Sequence, residues 1–289
     1  MDQAIPQDWV ESVTQIVEEA GAAILKVYET DFEIETKSDE SPLTQADLAS
    51  HHVIVAGLQS LTPNIPIISE ESAPPPFAER SQWQRYWLVD PLDGTKEFVN
   101  RNGEFTVNVA LIDAHEAVFG VVGVPVQQKI YVGDVNQSDP RLRAYVDVNG
   151  DRQALSGTGY DDAESVVRVV ASRNHGGERL EGYLTELASQ FTECQRRSVG
   201  SSLKLCVLAE GGADVYPRLG PTSEWDIGAA QAVLTAAGGG VYTPDGEVLA
   251  YNTKESLLNP EFLAVGDASY PWREPVSYTH LRAHETYDH

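Results

Sequence analysis

The spacing of apolar residues changes along the chain and divides it into segments of different period. In the first segment Trp9, Val13, Ile16, Val17, Ala20, Ile24, Val27 and Tyr28 recur at three- and four-residue steps, which predicts an amphipathic helix with one buried face. A polar stretch over 36–42 interrupts it. TQADLASHHVIVAGLQSL predicts a second helix, with Thr44 placed as its N-cap and Asp47 three positions on. IPIIS at 65–69 is short and isoleucine-rich, as a buried strand would be, and ends at Glu70. Pro74, Pro75 and Pro76 then mark a loop. YWLVD at 86–90 predicts another buried strand that stops at Asp90-Pro91.

Downstream, FTVNVALI and AVFGVVGVP predict two paired strands, with KIYVGDV a third. Residues 134–165 alternate turn signals with short strand-like pieces, including an Asn-Gly turn in YVDVNGDRQAL. SVVRVVAS predicts a strand, RLEGYLTELASQF a helix, SSLKLCVLAEGGA a helix ending at its glycines, and ADVYPRL a strand. TSEWDIGAAQAVLTAAGGG reads as a helix rich in small residues, and VYTPDGEVL as a hairpin around Asp-Gly. Several hairpins and no strict βαβ repeat favour a layered, mixed α/β (α+β) architecture over a doubly wound Rossmann sheet. A division is expected near residue 155, giving halves 1–155 and 156–270; no flexible linker marks it, so the halves are expected to pack tightly.

Charge changes the picture most. Among 289 residues, 44 acids against 20 bases leave a formal net charge of −24. Such a surface repels phosphodiester backbones and anionic lipid, so no nucleic-acid partner is expected. The excess of carboxylates suits either a high-salt habitat or a divalent-cation site. Cys194 and Cys206 fit no common zinc or redox spacing and are expected as reduced thiols. No basic start leads into an apolar stretch and no run of about 20 apolar residues occurs, so neither a signal peptide nor a transmembrane segment is expected. The expected location is the cytoplasm, free or peripheral at the inner face of the plasma membrane. Near the end, VSYTHLRAHET resembles the translation of a transposon-type sequencing adapter. Residues 276–289 are therefore expected to be a non-native tail, which removes His280, His284 and His289 from consideration as ligands.

The stretch Trp87-Leu88-Val89-Asp90-Pro91-Leu92-Asp93-Gly94-Thr95 carries the most chemistry. A buried strand delivers Asp90 to its carboxyl end, where ligand sites of sheet proteins gather. Asp93 follows within three residues, so both carboxylates can converge. Gly94 permits close backbone approach, and Thr95 and Lys96 would begin a helix whose free N–H groups face the same place. Two bare carboxylates 4 Å apart repel by roughly 4 kcal/mol at an effective dielectric near 20. A divalent cation removes that cost, and oxygen-only ligands favour Mg²⁺ or Mn²⁺ over zinc. Asp-Pro and Asp-Gly are also ordinary turn formers, Glu70-Glu71 reads equally as a solvated strand end, and Asp47 and Asp226 each fit a capping box, with Thr44 and Ser223. Singly none is persuasive; together they change the odds.

SEES at 69–72, VDPLDGTKEF at 89–98 and EWDIGAAQAVLTAAGG at 224–239 resemble the metal-site signatures of the inositol monophosphatase-like superfamily of magnesium-dependent, lithium-sensitive phosphatases. SPLTQADLASH at 41–51, RNGEFTVNVALI at 101–112, VGSSLKLCVLAEGGADVYPRLGPTSEWD at 199–226 and NTKESLLNP at 252–260 are similar to its 3′(2′),5′-bisphosphate nucleotidase, or CysQ, branch. The likeness covers nearly the whole chain up to about residue 270 and is weakest over 134–165.

The resemblance implies a layered α-β-α-β-α sandwich with catalytic carboxylates where the halves meet. It implies Glu70, Asp90 and the Leu92 carbonyl as ligands of one Mg²⁺, and Asp90, Asp93 and Asp226 as ligands of a second, with two or three ions per site, Mn²⁺ as a substitute and Li⁺ as an inhibitor. Gly94, Thr95 and Lys96 would meet the scissile phosphate; Asp47 with Thr95 would orient the attacking water, assisted by Glu70. Gly200, Ser201, Lys204 and Arg218, with Ser202 beside them, match positions near the ribose and second phosphate of a nucleotide. The alternative for Lys204 and Arg218 is ordinary surface ion pairing. His175 is a further pocket candidate, though a lone loop histidine is more often simply solvated. The implied reaction is hydrolysis of the 3′-phosphate of adenosine 3′,5′-bisphosphate to AMP and phosphate, clearing a by-product of sulfate activation, by a monomer or homodimer. An inositol or fructose phosphate phosphatase with the same metal core is the first alternative, and a non-catalytic acidic protein that binds cations or a partner the second.

Overall fold

A computed structural model describes residues 4–29, 34–36, 42–157, 159–160, 165–171, 177–270 and 272, with only the backbone at 34–36 and 42–44. His175, the Thr44 side chain and the tail 276–289 lie outside the described residues. The chain opens with α1 (Gln7–Tyr28), a small antiparallel pair β1 (Ile34–Thr36) and β2 (Pro42–Thr44), and α2 (Gln45–Leu61). There follow β3 (Ile67–Ser69), α3 (Phe77–Arg80), β4 (Arg85–Asp93), α4 (Thr95–Val99), β5 (Thr106–Asp113) and β6 (Glu116–Val124). Next come β7 (Lys129–Asp134), α5 (Pro140–Arg143), β8 (Ala144–Val148), β9 (Asp151–Ala154) and β10 (Val166–Ala171). The remainder is α6 (Gly177–Gln190), β11 (Glu193–Ser198), α7 (Leu203–Ala209), β12 (Val215–Arg218), α8 (Gly228–Ala236), β13 (Gly240–Tyr242) and β14 (Phe262–Val265).

Two mixed sheets result: seven strands in the order β3-β4-β5-β6-β7-β8-β9, and five in the order β11-β10-β12-β14-β13. Side-chain alternation along the strands assigns the layers, because successive residues face opposite sides of a sheet. Trp87, Val89, Val107, Val109, Leu111, Phe119 and Val121 join a core with α1 and α2. Their neighbours Tyr86, Leu88, Ala110, Ile112 and Val122 join a second core with α7 and α8. In the smaller sheet Val170, Tyr216, Phe262 and Ala264 face that same helix pair, while Val167, Val169, Val215, Leu263 and Val265 pack on α6. The order is helices, sheet, helices, sheet, helix.

α8 is the middle of this stack, which explains its alanines. A Cβ added at Gly120 of β6 would lie 2.2 Å from the Ala229 carbonyl oxygen, and one at Gly133 of β7 would lie 2.5 Å from the Val233 Cα. Helix and sheet therefore approach to backbone contact, and only glycine fits there.

Two expectations need correction, and a third needs refinement. Strand β4 does not stop at Asp90-Pro91: it continues to Asp93, with a register shift against β5 between Asp90 and Asp93. Proline lacks a ladder N–H, and a bulge is where a strand tolerates it. The segment 223–239 is not one helix; a 3₁₀ turn, Glu224–Asp226, precedes α8, and Ile227 between them leaves helical geometry at φ −130°. The hairpin expected around the Asp-Gly turn near 245 is present but short: Tyr242 bridges Val248, the Thr243 N–H donates to the Glu247 carbonyl at 2.8 Å and the Leu249 N–H to the Val241 carbonyl at 3.0 Å, while β13 also pairs with β14. Strands β11 and β14 were not expected from the pattern.

Candidate active site

Strand register assembles the acidic cluster. β3 runs parallel to β4 with Ser69 paired to Val89, and the Glu70 N–H donates to the Val89 carbonyl at 3.1 Å. In this parallel register Glu70, one residue past Ser69, comes to lie beside Asp90, one residue past Val89. Asp90 pairs with Asn108 and Asp93 with Thr106, so three steps on β4 match two on β5. In a regular strand residues three apart face opposite sides; one extra residue returns them to the same side. Thr106 and Asn108 alternate with core-facing Val107 and Val109, so both carboxylates are brought to the α7–α8 side. The bulge is pinned: the Leu92 N–H donates to Asp90 Oδ1 at 3.0 Å, and Ser50 Oγ of α2 donates to the Pro91 carbonyl at 2.7 Å.

Asp226 arrives from the opposite layer. The Ser223–Asp226 capping box is complete, with the Ser223 N–H donating to Asp226 Oδ2 at 2.9 Å. Ligand oxygens of Glu70, Asp90 and Asp226 lie within 4.8 Å of one another. Asp90 is buried at 1% exposure, and its Oδ2 has no hydrogen-bond partner. Burial, then the charges of Glu70, Asp93, Asp226 and Asp47, push its pKa well above the carboxylate range. Asp226 is pushed up likewise by desolvation and then by Asp93. Asp93 is raised to about 6 by desolvation, although Lys204 and the Ser202 N–H, which donates to its Oδ2, pull the other way. Such repulsion with an unsatisfied buried oxygen suits a hard divalent cation, and this donor set of carboxylates is one that would hold it.

A pocket of about 110 Å³ adjoins the cluster, lined among others by Asp93, Lys96, Ser201, Lys204, Arg218 and Asp226. Lys204 and Arg218 are not surface residues: they are 7% and 8% exposed. Lys204 Nζ donates to the Ser201 carbonyl at 2.6 Å and lies 5.6 Å from the centre of the Tyr216 ring. Desolvation, with help from Arg218, lowers its pKa to about 8 against the pull of Asp93. Arg218 donates to the Gly220 and Pro221 carbonyls at 3.1 and 2.7 Å, which holds its guanidinium at the pocket. Gly94, at φ 93°, turns the chain from β4 into α4, where Thr95 is first and Lys96 is exposed. Asp47 is buried on the first turn of α2 and acts on Asp90 electrostatically.

Sequence reasoning passed over Glu104, whose carboxylate accepts the Gly200 N–H at 2.8 Å and whose carbonyl accepts the Ser201 hydroxyl at 2.7 Å. It also passed over Glu97, Tyr216 and Thr222 in the pocket wall. All four lie within the stretches that carry the resemblance, which gave them no role of their own.

A two-sheet sandwich with a carboxylate cluster between its layers defines a class, and the chain belongs to the inositol monophosphatase family, whose model matches residues 6–273. Among its relatives, the 3′(2′),5′-bisphosphate nucleotidase CysQ of Salmonella typhimurium is 46% identical over 88% of this chain and 98% of its own length. That of Buchnera aphidicola is 37% identical over 88% and 92%. The crystal structure of CysQ from Bacteroides thetaiotaomicron superimposes with a TM-score of 0.77 at 37% identity, covering 90% of this chain and 97% of that one. A Thermotoga maritima IMPase shares the fold at a TM-score of 0.74 and 18% identity, over 96% and 99% of the two chains.

Proposed function

We propose that the protein is a magnesium-dependent 3′(2′),5′-bisphosphate nucleotidase that converts adenosine 3′,5′-bisphosphate to AMP and phosphate. The observation that carries the reading is the pairing, within one site, of a carboxylate cluster with two buried cationic side chains, Lys204 and Arg218. A monophosphate needs only the first of these. A second phosphate needs the other, Arg as a fork and Lys as a point charge.

In this reading Glu70, Asp90 and the Leu92 carbonyl hold one Mg²⁺, and Asp90, Asp93 and Asp226 another, with a third ion or Mn²⁺ also accommodated and Li⁺ inhibitory. When bound, the ions supply Lewis acidity for the attacking water and the leaving ribose oxygen. Gly94, Thr95 and Lys96 hold the scissile phosphate by backbone N–H groups and the lysine charge. Asp47 accepts a proton and, with the Thr95 hydroxyl, orients the water for in-line attack, Glu70 assisting. Gly200, Ser201, Lys204 and Arg218 hold the distal phosphate and ribose. Residues 1–155 contribute the main acidic motifs, and 156–270 contribute Asp226 and the nucleotide contacts. The same reading takes the protein as cytoplasmic, free or peripheral at the inner membrane face, and as a monomer or homodimer.

Turnover of adenosine 3′,5′-bisphosphate, inositol 1-phosphate and fructose 1,6-bisphosphate, with Mg²⁺ and with or without Li⁺, tests the assignment. Preference for the nucleotide, abolished by chelation and reduced by Li⁺, is the expected result. Preference for a sugar phosphate overturns it.

A further inference from the structure

The two β5 residues opposite the strand carboxylates are locked into a ring with the residue that precedes α7. Thr106, Asn108 and Ser202 are 0%, 1% and 2% exposed. Asn108 Nδ2 donates to Thr106 Oγ1 at 3.2 Å, and Ser202 Oγ donates to Asn108 Oδ1 at 2.7 Å. Thr106 Oγ1 and Ser202 Oγ are 2.8 Å apart. The single hydroxyl proton of Ser202 is committed to Asn108, so Thr106 donates to Ser202 and the circuit closes, each group giving one bond and accepting one. A fully satisfied buried ring of this kind is rigid, because breaking any one bond strands two polar atoms away from water.

The ring leaves the core at one point. The Ser202 N–H donates to Asp93 Oδ2. Asp93 sits past the bulge at the last position of β4, where the ladder no longer fixes it on both sides. Ser201, just before the anchor, holds a left-handed φ of 47°, a costly conformation for a residue with a side chain. That turn persists only if its surroundings over-determine it, and the ring supplies such a constraint. We infer that Thr106, Asn108 and Ser202 are positioning residues for Asp93, and that their ring sets the affinity of the cation site that Asp93 and Asp226 share. The inference deepens the metal reading above and rests on it.

Mn²⁺ titration of the chelator-stripped protein, followed by electron paramagnetic resonance, reads the effect without turnover. Thr106→Val removes one hydroxyl at nearly constant volume, and Ser202→Ala breaks the ring from its other side while keeping the backbone N–H. Both are expected to weaken one Mn²⁺ step by roughly 10-fold, the low end of the cost of losing an outer-sphere partner, because the Ser202 N–H remains but is less firmly placed. Thr106→Ser, which restores the hydroxyl, is expected to bind as the parent does. Circular dichroism establishes that each variant is folded; if Thr106→Val is not, Ser202→Ala decides. Parent-like Mn²⁺ binding in the folded ring variants overturns the inference, as does a Thr106→Ser protein as weak as Thr106→Val. Asp93→Asn separates the two readings. If it weakens Mn²⁺ binding while the ring variants do not, the ring inference alone falls; if it binds unchanged, the assignment of Asp93 as a ligand falls with it.

Discussion

Asp93 on β4 lies directly across the sheet from Thr106 on β5, although Asp90, three residues earlier, lies across from Asn108, only two away. One inserted residue thus puts two acids on the same face. Their mutual repulsion, with Glu70 and Asp226 alongside, is a standing cost in the metal-free protein and a source of affinity for cations.

Mg²⁺ or Mn²⁺ is therefore expected to stabilise the protein against heat. At about 100 times the dissociation constant the gain is about 2.7 kcal/mol, which corresponds to roughly 4–5 °C in Tm for a chain of this size. Asp90→Asn removes the shared carboxylate; it is expected to abolish the metal-induced shift and to lower kcat on the order of a thousandfold. Differential scanning calorimetry with and without metal checks the first, and phosphate release the second. A normal rate in Asp90→Asn refutes the ligand assignment.

Lys204→Ala and Arg218→Ala address the substrate. Each removes a charged donor from a buried site, so kcat/KM for adenosine 3′,5′-bisphosphate should fall by roughly 10- to 100-fold. The loss on inositol 1-phosphate should be smaller, because that molecule brings no second phosphate. Equal losses on both substrates would show that the two cations serve the scissile phosphate instead.

The Arg85–Asp113 pair carries a pH signature. Burial pushes the Asp113 carboxyl up, but hydrogen bonds from Arg85 and Gln84 outweigh it and hold the pKa below its usual value of 3.8. Arg85 Nε to Asp113 Oδ2 is 3.1 Å and Gln84 Nε2 to Oδ1 is 3.3 Å. A depressed carboxylate pKa contributes stability that is fully present above the unfolded value and is lost as pH falls through the folded one. Arg85→Met should lower Tm at pH 7, and the gap from the parent should close only below about pH 3.8. Urea or thermal unfolding across that range reads it; a gap that closes between pH 5 and 7 excludes Asp113 as the group.

One substitution made at two glycines should have opposite signs. Gly133→Ala forces a methyl group against the α8 backbone and is expected to cost roughly 1–3 kcal/mol. Gly182, on the exposed face of α6, has nothing within 4 Å of an added Cβ. Gly182→Ala should stabilise by about 0.5–1 kcal/mol through helix propensity alone. Paired thermal melts compare them.

Much of this was legible in the sequence because it is local. The periods of α1 and of β4 to β7, the Asn149-Gly150 turn, the Ser223–Asp226 box and the Asp90–Asp93 motif all declare themselves within a dozen residues. What escaped is set by register or by edges. β11, Glu-Cys-Gln-Arg-Arg-Ser, is a mostly exposed edge strand, so it shows no alternation. Tyr242 bridges Val248 across its own Asp-Gly turn but also pairs with Leu263, about twenty positions on, and that second pairing has no local signal. The Thr106–Asn108–Ser202 ring exists only once β5 and the start of α7 meet, and no pattern in either segment announces it.

The pairing of Ser69 with Val89 has a consequence for how the protein matures. Glu70 and Asp90 become neighbours only when two short parallel segments, separated by a helix and a proline loop, have found one particular alignment; a slip by a single residue would send one acid to the far side. Competence to capture an ion is thus acquired after the sheet has zipped, not before. Cation uptake followed in time during refolding would mark the moment the native alignment locks.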